Sequence, residues 1–242
     1  MATVWKKKRA SKEIKVFNER SKIESHVFDR QTLIILSKLQ SQGVIESLDY
    51  PIKSGKEAYV FRATGGKLYP RKYLAVKIYM LETTDFTNRD EYIQNDPRFN
   101  VKGNKRKMIY EWAKKEYANL MFLERNGIKV PHPHIIKKNV LVMDFIGDDE
   151  GNAAPTLKEH GPYSAKDVEY FIKTIKKMYK QGFVHADLSE YNVLCAGNKE
   201  YYIIDLSQGV LKNNIMFEKW YERDLYSIKK FFFSIVINLK YK

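Results

Sequence analysis

The sequence predicts an α+β fold in two lobes, a small antiparallel sheet with its helices followed by a mainly helical part. Three observations carry that prediction. Short runs of alternating apolar residues fill the first half, longer segments with apolar residues at helical spacing flank and follow them, and a hinge-like linker, Gly147 to Pro155, stands between. Residues 1–48 are expected to form a basic arm and short helical extension, 49–146 the first lobe and 147–242 the second.

Residues 1–24 are polar, basic and aperiodic, which suits a mobile arm or weak helix. Asp29 then stands as an N-cap before Leu33, Ile34, Leu36 and Leu39, and Gly43 stops that helix. Strands are expected at Val44 to Leu48, Ala58 to Ala63 and Leu74 to Met80, with Gly65-Gly66 as a turn. Residues 81–107 are rich in Thr, Asn, Asp and Gly and are interrupted by Pro97, so a flexible insertion is expected. From Met108 to Arg125 the residues Ile109, Trp112, Leu120 and Leu123 recur at helical spacing, and Gly127 closes the helix. Val140 to Phe145 reads as a buried strand. A helix from Ser164 to Lys180 follows the linker, with Val168, Phe171, Ile172, Ile175 and Met178 on its core face. Val193 to Cys195 and Tyr201 to Ile204 form a hairpin around Ala-Gly-Asn-Lys, and Phe217 to Leu239 forms the last helix.

Composition narrows the class. The chain has 242 residues and a hydrophobic fraction of 44%, and no apolar run approaches the ~20 residues of a membrane span. The charged start, Met-Ala-Thr-Val-Trp-Lys-Lys-Lys-Arg, has no apolar stretch behind it, so a secretory signal is not expected, and Trp5 has no assignable role. The one cysteine, Cys195, cannot pair internally, which fits a reducing, cytoplasmic compartment. A formal charge of +14 favours polyanions such as ATP or RNA without choosing among them, and a solvated lysine-rich surface would have the same composition.

The segment His185-Ala-Asp-Leu-Ser-Glu-Tyr-Asn192, followed by Tyr201-Tyr-Ile-Ile-Asp205, carries the chemistry. The hairpin returns its second strand to the start of the first, so Asn192 and Asp205 come side by side. An amide oxygen beside a carboxylate gives hard ligands for Mg²⁺, and Asp187 on the preceding loop can orient a hydroxyl or water. Strand alternation places Ala75, Lys77 and Tyr79 on one face, and Glu116 is the candidate partner for Lys77 because it shares a helix side with Trp112 and Leu120. The Ser54-Gly55-Lys56 turn could cap phosphates with free N–H groups, a hydroxyl and a charge, although a plain hairpin turn explains it equally well. Backbone groups of Met143-Asp144-Phe-Ile146-Gly could meet an adenine edge, although core packing accounts for Met143 equally. His132 and His134 in Pro-His-Pro-His are read as a structured turn, since no Cys and no clustered carboxylates accompany them.

Together, Ser-Gly-Lys-Glu-Ala, Ala75-Val-Lys77, Glu116, Met143-Asp-Phe-Ile-Gly147, His185 to Asn192 and Ile203-Ile-Asp205-Leu-Ser-Gln208 closely resemble the RIO family of atypical serine/threonine protein kinases, in its type-one branch. The resemblance runs from about Phe28 to Asp224. It implies a bilobal protein-kinase-like fold with a reduced C-lobe, and ATP and Mg²⁺ as cofactors. It further implies Lys77 on the phosphates, Glu116 holding Lys77, Asp187 as catalytic base, Asn192 and Asp205 on Mg²⁺, and Asp144 and Ile146 on adenine. Maturation of the small ribosomal subunit is the implied setting, with a pre-ribosomal particle, a protein substrate or the chain itself as partner. Turnover as an ATPase through a phosphoaspartate at Asp205 is implied as well.

Departures from ordinary protein kinases restrict the mechanism. Ala186 replaces the usual Arg, Leu206-Ser207 replaces Phe-Gly, and no Ala-Pro-Glu segment follows Asp205. The insertion has Thr83, Thr84 and Thr87 but no Ser, so a serine modification there does not transfer. His185 is expected to support its loop rather than act as a base, and Asp224 to brace that loop from below. Two other functions share part of the pattern: a small-molecule phosphotransferase of the aminoglycoside or choline kinase type, and a nucleotide-sensing pre-ribosome binding module.

Overall fold

The structure is a computed structural model and describes residues 28–70, 72–81, 90–93, 96, 98–99 and 104–240. The basic arm, Trp5, Thr83, Thr84 and Thr87 lie outside the described residues.

Helix α1 (Arg30–Ser41) begins where Asp29 accepts the Thr32 N–H at 2.8 Å, a cap worth about 1 kcal/mol, and turns out through Gly43 at φ 72°. Its residues Leu36 and Leu39 pack on one face of a five-stranded sheet. The strands are β1 (Ile45–Ser54), β2 (Ala58–Gly65), β3 (Tyr73–Tyr79), β4 (Pro133–Lys137) and β5 (Val140–Asp144). They pair antiparallel throughout in the order β1-β2-β3-β5-β4. Strand β1 runs six residues further than the sequence suggested, past Pro51. At the sheet edge an imino acid forfeits no ladder bond on its open side, and the register shifts near it absorb the rest.

A short helix, α2 (Asp90–Ile93), lies inside the expected flexible insertion, and its Ile93 is buried against Ile109 and Trp112. The long helix α3 (Lys105–Arg125) starts three residues earlier than its apolar spacing indicated, because the Asn104 side chain accepts the Lys107 N–H at 3.0 Å. It covers the sheet face opposite α1. Strand β3 is therefore packed on both sides, with Leu74, Val76 and Ile78 toward α1 while Ala75 and Tyr79 join the α3 side.

Beyond the linker comes α4 (Leu157–His160), opened by a reciprocal Thr156–Glu159 capping box, then α5 (Asp167–Lys180). Four short strands follow: β6 (Phe183–Val184), β7 (Val193–Ala196), β8 (Glu200–Ile203) and β9 (Val210–Leu211), pairing as β6-β9 and β7-β8. Helix α6 (Phe217–Lys240) closes the chain and sets Ile228, Phe231 and Phe232 against Phe171 of α5. That apolar cluster also takes in Leu120, Leu123 and Met143, so one core joins the sheet half to the helical half. No helix among the described residues is long and apolar enough to cross a membrane.

Candidate active site

A cleft of about 780 Å³ lies between the halves. The β1-β2 turn, β3, α3, the linker and residues 204–208 line it. At its wall, Lys77 projects from β3, where its register partner is Leu141 of β5. Its ammonium is 2.8 Å from the Glu116 carboxylate and 2.9 Å from Asp205 Oδ1. Glu116 is fully buried between Trp112 and Leu120 and also accepts the Tyr79 hydroxyl. Burial works against a charge on Lys77, but Asp205 and then Glu116 outweigh it and hold the ammonium protonated well above the ordinary lysine range. Burial would likewise raise Asp205, yet Lys77 keeps it ionised, well below the usual carboxylate range. Glu116 goes the other way: burial pushes it up against the pull of Lys77.

Asp205 is in the left-handed region at φ 62°, an uncommon conformation for a residue with a Cβ. That turn ends β8 and starts the 3₁₀ turn Leu206–Gln208. The hairpin brings the two expected oxygen ligands together as backbone neighbours, with the Ile204 N–H bonded to Asn192 O at 3.0 Å. Asn192 is nearly buried, and its Nδ2 donates to Asp187 O at 2.9 Å and to Asp187 Oδ2 at 3.3 Å. Asn192 Oδ1 and Asp205 Oδ2 have no hydrogen-bond partner among the described residues. This hard-oxygen pair fits a magnesium ion.

Asp187 lies at the exposed rim of the same loop. Partial burial and then the charge of Asp205 raise its carboxyl above the ordinary range. His185 is wholly buried, bonds through Nε2 to Ile204 O at 3.0 Å, and is held neutral by burial, its pKa lowered to about 4. Asp224 on α6 accepts the N–H groups of Ala186 and Leu188, each at 3.0 Å, from directly beneath the loop. Ala186 is left-handed at φ 66°, which turns those two N–H groups toward the same carboxylate.

On the nucleotide side, Lys56, Met143, Asp144 and Ile146 line the cleft, while Ser54 stands exposed at the end of β1 and does not. The expected free N–H at Gly55 is absent, because it closes the turn onto Ala58 O at 3.0 Å. The Asp144 N–H is committed to His132 O and the Ile146 carbonyl to the Ala154 N–H, both at 2.9 Å. The Ile146 N–H has no partner among the described residues. His132 and His134 belong to the β4 approach rather than to a turn, and each imidazole is bonded to a carboxylate, Glu124 at 2.8 Å and Asp144 at 2.7 Å.

Two features escaped sequence reasoning. Lys115, adjacent to Glu116, is completely buried, and burial lowers its pKa to about 7. Arg62 lies between the rings of Tyr50 and Tyr73, 4.4 and 4.5 Å from their centroids, and with the Tyr50 hydroxyl it donates to Gly151 O in the linker. Together the side chains provide a fixed cation, an ionised carboxylate and, at the rim, a carboxylate of raised basicity. Such a set can orient a polyphosphate and accept a proton from a hydroxyl.

A sequence profile of the RIO domain matches residues 59–242. The RIO-type serine/threonine-protein kinase Rio1 of Haloferax volcanii is 37% identical over 216 residues, which cover 87% of this chain and 72% of that protein. The Rio1 kinase of Methanocaldococcus jannaschii is 37% identical over 229 residues, 93% of this chain and 77% of that protein. Human RIO1 is 37% identical over 221 residues, 88% of this chain but only 38% of that longer protein. The crystal structure of the Rio2 kinase-ADP/Mg²⁺-phosphoaspartate complex from Chaetomium thermophilum superposes with a TM-score of 0.61 at 23% identity, covering 81% of this chain and 58% of that one. The fold is kinase-like.

Proposed function

We infer that this chain, which belongs to the RIO family of serine/threonine protein kinases, binds Mg·ATP in the cleft and transfers or hydrolyses the γ-phosphoryl group. The observation that carries this reading is Lys77 held between Glu116 and Asp205 at the cleft wall. In this reading residues 49–146 and 147–242 act as the two lobes, and residues 1–48 extend the first. Asp144, through its carbonyl, and Ile146, through its N–H, meet the adenine edge, with Met143 behind it. Lys77 orients the phosphates, Glu116 holds Lys77 in place, and Lys56 adds charge from the turn. Ser54 is the weakest of the expected contacts.

Asn192 and Asp205 hold the magnesium ion, which when bound supplies neutralisation of charge on the phosphate oxygens. Asp187 accepts the proton of the attacking hydroxyl or water, the new O–P bond forms, and the bond to the leaving ADP oxygen breaks. The raised basicity of Asp187 suits that role. In an ATPase mode, Asp205 Oδ2 attacks the γ-phosphorus directly, ADP departs, and water later cleaves the aspartyl phosphate. The lack of a partner on that oxygen supports this mode, and the related Rio2 structure was solved as a phosphoaspartate complex. A role in small-subunit maturation, in the cytoplasm, with pre-ribosomal RNA or protein as partner, rests on the family resemblance, and the +14 charge is compatible with an RNA partner without selecting it.

Phosphate release from Mg·ATP by the wild-type chain and by Lys77→Met tests the reading. A loss of about a hundredfold or more in the variant is expected. A wild-type chain that turns over no ATP overturns it.

A further inference from the structure

Immediately after Asp205 the chain makes a tight 3₁₀ turn whose carbonyls point inward, away from solvent. Buried carbonyls need donors, and besides the Gly209 N–H, which bonds Leu206 O at 3.1 Å within the turn, two side chains of one helix supply them. Lys115 Nζ donates to Ser207 O at 2.8 Å and also to Gly209 O. Asn119, one helical turn on and equally buried, donates to Leu206 O at 2.8 Å and Gly209 O at 3.0 Å. The fit is close: a Cβ at Gly209 would stand 2.3 Å from the Phe183 ring and 3.2 Å from Asn119 Nδ2. On its far side Asn119 Oδ1 accepts from Arg98 at 3.0 Å, and Arg98 is itself paired with Asp96 at 2.6 Å.

Among the described residues Lys115 forms no ion pair: its ammonium meets the Ser207 and Gly209 carbonyls and the Trp112 ring, 5.4 Å away, and the charges of Asp96 and Arg98 act on it from farther off with opposite sign. A lysine buried without a counter-ion is costly, so its two carbonyl contacts have to be specific to be kept. What they secure is the conformation of the residue just upstream. Asp205 is left-handed, its Oδ1 lies 2.9 Å from Lys77 Nζ, and the clamped residues 206–209 follow it directly in the chain.

We propose that Lys115 and Asn119 are positioning residues for phosphoryl transfer, clamping the Leu206, Ser207 and Gly209 carbonyls so that Asp205 is presented to Lys77 and the metal. The inference rests on the function proposed above and deepens it: α3 controls the metal-binding carboxylate through the backbone as well as through Glu116.

The test compares the full chain with Lys115→Met and Asn119→Leu, which keep the aliphatic bulk and remove the donors. Nucleotide affinity is read with ADP in EDTA, and phosphate release from ATP is titrated with Mg²⁺. The clamp predicts metal-free ADP affinity within about threefold of wild type, a half-saturating Mg²⁺ concentration raised about tenfold or more, and a lower kcat, with partial recovery in Lys115→Arg. Lower thermal stability with unchanged Mg²⁺ dependence and kcat would reduce both residues to packing and overturn the proposal. Amide exchange in the wild-type chain decides it independently of any variant. Residues 206–210 should exchange as slowly as the middle of α3, and fast exchange there refutes the clamp. A wild-type chain inactive toward ATP would count against the function proposed above, whereas the exchange result bears on the clamp alone.

Discussion

Replacing Asp224 with Ala should loosen the catalytic-type loop from below. The carboxylate accepts two buried backbone N–H groups at 3.0 Å, from Ala186 and Leu188. Leaving a buried donor unsatisfied costs about 1–3 kcal/mol, and the left-handed Ala186 adds strain of about 1 kcal/mol that its surroundings no longer hold. Some of the loss is returned, because burial of the carboxylate is itself unfavourable, raising its pKa to about 7. A net cost of about 3 kcal/mol is expected, which for a chain of this size lowers Tm by roughly 6–12 °C. Since the same loop carries Asp187 and Asn192, ATP turnover should drop by about a hundredfold, while ADP binding, which relies on the sheet half, should change little. Calorimetry and a phosphate-release assay measure both. Wild-type turnover in Asp224→Ala, with Tm within about 2 °C of wild type, would refute the brace.

Three further outcomes are expected. Glu116→Gln should fold, because burial already drives that carboxyl toward its neutral form, but with no counter-charge behind Lys77 its kcat/KM for ATP should fall about tenfold, as steady-state kinetics would show. Gly151→Ala should cost about 1–3 kcal/mol in urea unfolding, since at φ 85° the new Cβ would stand 2.2 Å from Arg62 Nη1. His185 and Asp224 should make opposing contributions to the pH dependence of stability. His185, depressed to about 4, contributes stability that is present above its unfolded pKa of 6.5 and lost as pH falls toward 4. Asp224, raised to about 7, contributes stability that is present below its unfolded 3.8 and lost as pH rises toward 7. Urea midpoints at pH 4.5 and 6.5 should therefore show a steeper acid loss in Asp224→Ala than in wild type, and parallel profiles would contradict the assignment.

Local rules placed much of this fold. Asp29 and Gly43 bound α1 where capping chemistry says they should, and alternation in β3 correctly put Lys77 on the Ala75 and Tyr79 face. The hairpin argument put Asn192 beside Asp205, and helical phase picked Glu116 as the partner of Lys77. What escaped was set by distant residues. Pro-His-Pro-His has turn composition, yet β5 recruits its second half, Pro133-His134, as the start of β4, with Ile135 opposite Val142. Residues 49–54 lack a clear alternation because β1 is an edge strand with bulges. The capping-box pair Thr156 and Glu159 heads a helix of only one turn, too short for apolar spacing to mark. Lys115, in the run Lys-Lys-Glu, has the pattern of a solvated helix face. Only the fold of residues 206–209 over α3 makes it interior.

The most direct test of phosphoryl transfer is to incubate the chain with γ-labelled ATP and Mg²⁺ beside Asp187→Asn and Asp205→Asn, then treat the labelled protein with hydroxylamine. Label on wild type is expected, either hydroxylamine-labile and lost in Asp205→Asn, or stable on Ser or Thr and lost in Asp187→Asn. A wild-type chain that neither takes label nor releases phosphate would contradict the account and leave a nucleotide-binding module.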